Sequence, residues 1–126
     1  MGRPPKTPYF IDNAEFEREI IVCQELGHPE SARLGQLLVE LHEGVFHSMP
    51  FKDYPAEVKQ EMLEYSLYRI LLKGTPTWNP KAKSRAFSYY LRAVTNNCFR
   101  YLKKRAHKLK QDKEWAELKV KYNLHI

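Results

Sequence analysis

The chain is short of the residues from which reactive or metal-binding centres are built. It holds only two cysteines, Cys23 and Cys98, in 126 residues, and its five histidines (28, 42, 47, 107 and 125) are scattered. No Cys-x-x-Cys, His-Glu-x-x-His, glycine-rich phosphate loop or nucleophile elbow occurs, so no metal, cofactor or catalytic constellation is expected. An enzyme is not the expected class. Cys23 and Cys98 fall on apolar helical stripes, where a free thiol behaves as a small hydrophobe, and a lone pair in a chain without a secretory leader expects a reducing compartment. No disulfide is expected. No apolar run approaches the roughly 20 residues that span a bilayer, and the opening Met1-Gly2-Arg3-Pro4-Pro5-Lys6 lacks the apolar centre of a signal peptide. A cytoplasmic protein without a membrane partner is the expectation. Strand alternation and Asn-Gly hairpin signals are also missing, which leaves an all-α class.

Acidic residues are scarce in one particular stretch. From Lys81 to Lys113 there are eleven Lys or Arg against a single acid, Asp112. The first eighty residues carry eight basic and twelve acidic side chains, and the last thirteen are neutral, so the net charge of +6 is a difference between opposed segments. Such asymmetry points to a polyanion-binding element attached to a more acidic body. Within the basic stretch Phe87, Tyr90, Leu91, Val94, Cys98, Tyr101 and Leu102 recur at three- and four-residue steps and share one face of a helix. Arg92, Asn96, Arg100 and Lys103 run along another face. A solvated back of a core helix would explain those cations, but the charge is nearly uncompensated and Tyr89, Asn96 and Asn97 lie among it.

The remaining elements follow from caps and breakers. Residues 1–11 hold three of the eight prolines and read as an extended arm; its Gly2-Arg3-Pro4 resembles part of the minor-groove AT-hook core without the leading Arg. Asp12 with Glu15 reads as a capping box opening a helix through Phe16, Ile20 and Cys23 to Gly27. Ser31 caps a second helix on Leu34, Leu37, Leu38, Leu41 and Val45, ending before Met49-Pro50. Pro55, as a first helical residue, opens a third through Val58, Met62, Leu63, Leu67, Ile70 and Leu71 towards Gly74. Its other face carries Glu57, Gln60, Glu61 and Glu64, a row that a solvated surface alone would explain. A proline-rich turn with Trp78 follows. The fourth helix runs from near Ser84 to about Lys110, roughly 40 Å at 1.5 Å per residue. Residues 114–126, with Trp115, Leu118 and Tyr122, either continue it or fold back. The expected architecture is a compact helical domain over residues 12–113, of four to five helices with one long basic helix, and a C-terminal tail.

Taken in order, Lys59-Gln60-Glu61-Met62, then Trp78-Asn79-Pro80, then Phe87-Ser88-Tyr89-Tyr90 and the basic run to Arg105 resemble region two of bacterial sigma factors. That family has a Gln-Glu helix, a Phe-Asp-Pro-type turn, a Phe-Ser-x-Tyr start and a long basic helix in the same sequence. The likeness is closer to the reduced late-transcription sigma factors of T-even-type phages, which share an opening like Lys6-Thr7-Pro8-Tyr9-Phe10-Ile11 and a Lys-Gln-Glu-Met run. It covers Lys6 to about Lys113.

The resemblance implies a subunit that joins core RNA polymerase and opens promoters. Glu57, Gln60, Glu61 and Glu64 would then meet the clamp coiled coil of the largest polymerase subunit. Tyr89, Tyr90, Arg92, Asn96, Asn97, Arg100, Lys103 and Lys104 would hold the non-template strand of a −10-like element, with cations on phosphate and an aromatic stacked on an unpaired base. Primary members carry a Trp pair as a fork wedge where this chain has Ala93 and Val94, so Trp78 is the candidate for a substitute fork contact. The length leaves no room for a domain reading a −35 element, so upstream contact would fall to a separate coactivator or be absent. The chain's ending, Lys121-Tyr122-Asn123-Leu124-His125-Ile126, does not match the acidic clamp peptide of the phage proteins, and clamp binding is not implied. The alternatives are a small helical repressor on duplex DNA, against which the long connection before the basic helix counts, and a structural component that binds nucleic acid non-specifically.

Overall fold

The computed structural model describes residues 11–27, 31–73 and 76–126. Four helices make up the described fold: α1 (Asn13–Leu26), α2 (Ala32–Phe46), α3 (Ala56–Leu71) and α4 (Ala86–Lys121). Among the described residues there is no strand, as expected for an all-α chain. The arm's first ten residues, with their Gly-Arg-Pro and the Pro8-Tyr9-Phe10 part of the opening, lie outside the described residues, as do His28 and Gly74. Ile11, assigned to the arm, is buried in the core.

Each helix begins and ends for a local reason. Asp12 accepts hydrogen bonds from the backbone of Ala14 (2.9 Å) and Glu15 (3.2 Å), satisfying two of the donors that a helix start leaves open. The reciprocal half of the expected capping box is replaced by a tertiary contact, because Glu15 turns to Arg33 of α2 at 2.6 Å. Gly27 ends α1 in the left-handed conformation (φ 66°), which glycine adopts without steric cost. Ser31 Oγ caps Leu34 N–H at 3.1 Å. Pro55 is the residue before α3 rather than its first turn, with an extended ψ of 155° and no side-chain cap.

The start of α4 is capped from a distance. Its own N-cap, Arg85, supplies no side-chain hydrogen bond. Instead Glu17 of α1 accepts from Ala86 N–H at 2.9 Å and from the Arg85 guanidinium at 3.1 and 3.2 Å, and Asn13 accepts from Phe87 N–H at 3.2 Å. Burial raises the Glu17 pKa, but hydrogen bonds from Arg85, Ala86 and Asn13 outweigh it and hold the carboxyl below its usual value. A negative charge at a helix N-terminus also complements the helix dipole.

The core lies between the four helices, with α4 packed on all three others and most extensively on α3. Phe16, Ile20 and Cys23 of α1, Leu34, Leu37, Leu38 and Leu41 of α2, Val58 and Met62 of α3, and Tyr90, Val94 and Cys98 of α4 are buried together. Both cysteines are free, and burial pushes the Cys98 thiol up to about 12. A polar thread crosses this core. His42 Nδ1 lies 2.7 Å from Leu38 O, and since a carbonyl only accepts, Nδ1 carries the proton. Nε2 therefore accepts from Ser66 Oγ (2.7 Å), which accepts from Asn97 Nδ2 (3.3 Å), while Asn97 Oδ1 accepts from Arg69 Nε (3.3 Å). Three helices are joined by one directed chain of hydrogen bonds.

Helix α4 is 36 residues long, or about 54 Å, well beyond the expected end near Lys110. The tail continues the helix. No Gly or Pro interrupts Arg100–Lys121, and its Lys, Ala, Leu, Gln and Glu residues favour helix without tertiary support. The stop is a Schellman motif: Asn123 is left-handed (φ 50°), Leu124 N–H reaches Lys119 O at 2.8 Å and Asn123 N–H reaches Val120 O at 3.2 Å. From Ala106 to Leu118 every residue is exposed, so the second half of α4 stands clear of the bundle. No described helix is long and apolar enough to cross a membrane.

Candidate nucleic-acid and partner interfaces

Tyr89, Arg92 and Asn96 lie together. With Ser84, Ser88 and Ala93 they line a depression of about 270 Å³ on the first turns of α4. Spacings of three, four and seven residues put the three side chains on one face, and the capped N-terminus fixes where that face begins. Tyr89 is half-buried, with its ring edge-on to Tyr90 (centroids 5.0 Å apart, planes at 82°) and its hydroxyl 2.8 Å from Thr77 Oγ1. The depression thus presents an aromatic group, a guanidinium, an amide and two hydroxyls. That set suits an unpaired base and its phosphate.

Arg100 and Lys103 extend the same face and are exposed. Among the described residues neither they nor Arg92 form an ion pair, which leaves them available to an anion. Lys104 departs from that row. Its ammonium sits 5.4 Å over the ring of Tyr65, on the α3 side of the helix.

Three expected contacts are occupied by the fold itself. Tyr90 is only 4% exposed and stacks edge-on against Phe16 at 5.4 Å, so it supports Tyr89 and offers no platform to a base. Asn97 is spent on Ser66 and Arg69. Trp78, expected as a fork contact, is also 4% exposed, and its Nε1 donates to Ser84 O at 3.1 Å. The reason is mechanical: a proline-rich connection needs an anchor, and the largest apolar side chain in it is drawn into the core. Gln24 of α1 completes the attachment by donating to Pro76 O (3.0 Å) and Trp78 O (2.6 Å).

Glu57, Gln60, Glu61 and Glu64 are all exposed on one side of α3. Glu57 lies in the first turn, where it complements the helix dipole. Gln60 Nε2 donates to Glu64 at 3.2 Å, and Glu61 accepts from the Tyr101 hydroxyl of α4. Burial first, and the Glu61 carboxylate second, push the Tyr101 phenol up to about 12. Sequence reading missed Thr77, Ser84 and Ser88 around Tyr89, and also Tyr65, Arg105 and Lys108. The hydroxyls carry no signal in a sequence, whereas a helical projection of the basic run separates Arg105 from Asn96 by nine residues, about two and a half turns.

Among the described residues no group of three or more His, Cys, Asp or Glu is placed to hold a metal. No protein-family model and no curated protein matches the chain. The sigma-like reading accordingly rests on the quoted motifs and on the physical arrangement of these two faces.

Proposed function

We propose that the chain is a sigma region-two-like initiation factor, which binds core RNA polymerase through α3 and holds the non-template strand of a −10-like element on α4. The observation that carries the reading is the gathering of Tyr89, Arg92 and Asn96 in one depression, continued by the unpaired cations Arg100 and Lys103. An aromatic and an amide beside a guanidinium can accept an exposed base, and the following cations hold its backbone without reading sequence. The acidic and amide row Glu57, Gln60, Glu61 and Glu64 suits a basic protein surface. Trp78 is inside the fold, so strand separation at the fork must be driven by the capture of bases rather than by an indole wedge.

Division of labour follows. One small helical domain offers few base contacts, so the isolated chain binds duplex DNA poorly and acts once polymerase holds the strands apart. The test is in vitro transcription by bacterial core polymerase on phage late-promoter templates, with and without the chain. Initiation at defined sites that requires the chain is expected. Initiation at the same sites in its absence would remove the proposal and leave non-specific nucleic-acid binding.

A further inference from the structure

The cations of α4 are divided between two sides of the helix, and the second set faces α3. Lys104, Arg105 and Lys108 line a groove of about 400 Å³ with Glu61, Tyr65 and Tyr101. Arg105 lies about two and a half turns from Asn96, so this groove opens away from the depression that holds Tyr89.

The acids of the groove are already engaged. Glu61 takes the Tyr101 hydroxyl, and Asp112 pairs with Lys108 at 3.5 Å in an exposed contact of little worth. Lys104 is held only over the Tyr65 ring, which also carries Arg69 at 5.7 Å. The Tyr65 hydroxyl is buried and is the single buried side-chain polar atom among the described residues without a hydrogen-bond partner. A groove lined by three cations against two carboxylates is complementary to a further carboxylate. Glu61 belongs both to this groove and to the acidic row of α3, so the two surfaces are continuous.

We infer that this groove is the second half of the protein-docking surface, and that it takes an acidic side chain of the partner that lies along α3. The inference rests on the polymerase-binding reading above and deepens it. The partner surface must then carry both signs, with cations meeting Glu57, Gln60 and Glu64 and a carboxylate meeting Lys104 and Arg105. Alternating charge of this kind fixes the register of a docked helix, because a shift along α3 would bring like charges together. Part of what reads in the sequence as a nucleic-acid-binding run therefore belongs to protein recognition.

The experiment is competition for bacterial core RNA polymerase between labelled wild-type chain and unlabelled variants, beside binding to a single-stranded DNA oligonucleotide. Arg105→Glu with Lys108→Glu should weaken polymerase binding roughly tenfold or more, as reversal of charges at a partly desolvated interface does. Lys52→Glu with Lys73→Glu, which makes the same change of net charge outside the groove, should compete like wild type. Arg105→Gln should fall between, and equal melting temperatures show that all variants are folded. Unchanged polymerase affinity for the Arg105 and Lys108 variants, with wild type binding, overturns the inference alone. A loss seen only with the oligonucleotide also overturns it and assigns the groove to nucleic acid. Failure of the wild type to bind polymerase removes the initiation-factor reading and this inference with it.

Discussion

Replacing His42 by glutamine should remove about 2 kcal/mol of the stability the protein loses between pH 7 and pH 5. The ring is fully buried, and burial holds its pKa down at about 4 against an ordinary 6.5. Protonation would place an imidazolium in the core and would take away the lone pair of Nε2 that accepts from Ser66. The sign follows from proton counting. Between pH 6.5 and 4 the unfolded chain binds more protons at this residue than the folded one, so stability rises with pH across that window. The contribution is fully present above pH 6.5 and is lost as pH falls towards 4. The whole displacement is worth roughly 3 kcal/mol, of which about 2 kcal/mol is gone by pH 5. Urea denaturation of wild type and His42→Gln at pH 7 and pH 5 measures it. The variant starts less stable at pH 7, because its amide cannot reproduce both ring contacts, but loses about 2 kcal/mol less on acidification. Carboxylates common to both proteins cancel in the comparison. Equal losses in the two proteins would refute the argument that the ring is forced to stay neutral.

Glu17→Ala should destabilise the fold by about 1–2 kcal/mol, the usual cost of a lost helix cap, and should abolish the stability that wild type loses through this carboxyl as pH falls below 4.5 and through its lowered folded pKa; urea midpoints at pH 7 and pH 3.5 read both effects. Gln60→Ala with Glu61→Arg should weaken assembly with core polymerase, while circular dichroism and melting show an intact fold; full competition by this variant would reduce the α3 face to a solvated surface. Tyr89→Ala and Asn96→Ala should narrow the difference between holoenzyme binding to matched and scrambled forked DNA with little change in salt dependence, whereas loss of Arg100 or Lys103 should weaken both and flatten the log–log salt slope by roughly 0.7 per phosphate contact. Equal losses on both sequences for Tyr89→Ala and Asn96→Ala would assign α4 to charge binding alone. Tyr65→Phe removes a buried hydroxyl that has no partner, so the free chain should be as stable or more stable by up to about 1 kcal/mol in thermal unfolding; marked destabilisation would mean that the hydroxyl is satisfied.

The helices were legible because their apolar residues repeat at helical spacing and their ends carry Asp12, Gly27 and Ser31, all of which act through neighbours in sequence. The face of Tyr89, Arg92 and Asn96 was legible for the same reason: residues three to seven apart on one helix share a side whatever surrounds them. What the sequence hid depends on distant partners. Asn97 looks like its neighbour Asn96, and only Ser66 and Arg69 decide that it points inward, while Tyr90 stands both in the apolar stripe and among the expected strand contacts, and Phe16 decides for the core. Trp78 reads as an exposed loop aromatic until Gln24 and Ser84 are seen to fasten its turn. Glu15 was expected to close a local box, and Arg33 of another helix claims it instead. Lys104 follows Arg100 at a four-residue spacing that shares its face, and only the ring of Tyr65 draws its ammonium towards α3. Whether α4 continues past Lys110 or folds back stays open in the sequence because a free-standing helix has no buried stripe to decide it.

The cap that α1 places on α4 spans 68 to 74 residues of chain. In order of synthesis the residues that cap α4 precede the helix they close. Along α4 this sets up a gradient of backbone protection. The first turns, which carry Tyr89, are pinned by packing and by borrowed acceptors and should exchange amide hydrogens only with global unfolding, while the bare turns after Ala106 should open locally and exchange early. One continuous helix is thereby a rigid support at the end that faces the proposed strand and a compliant rod at the other.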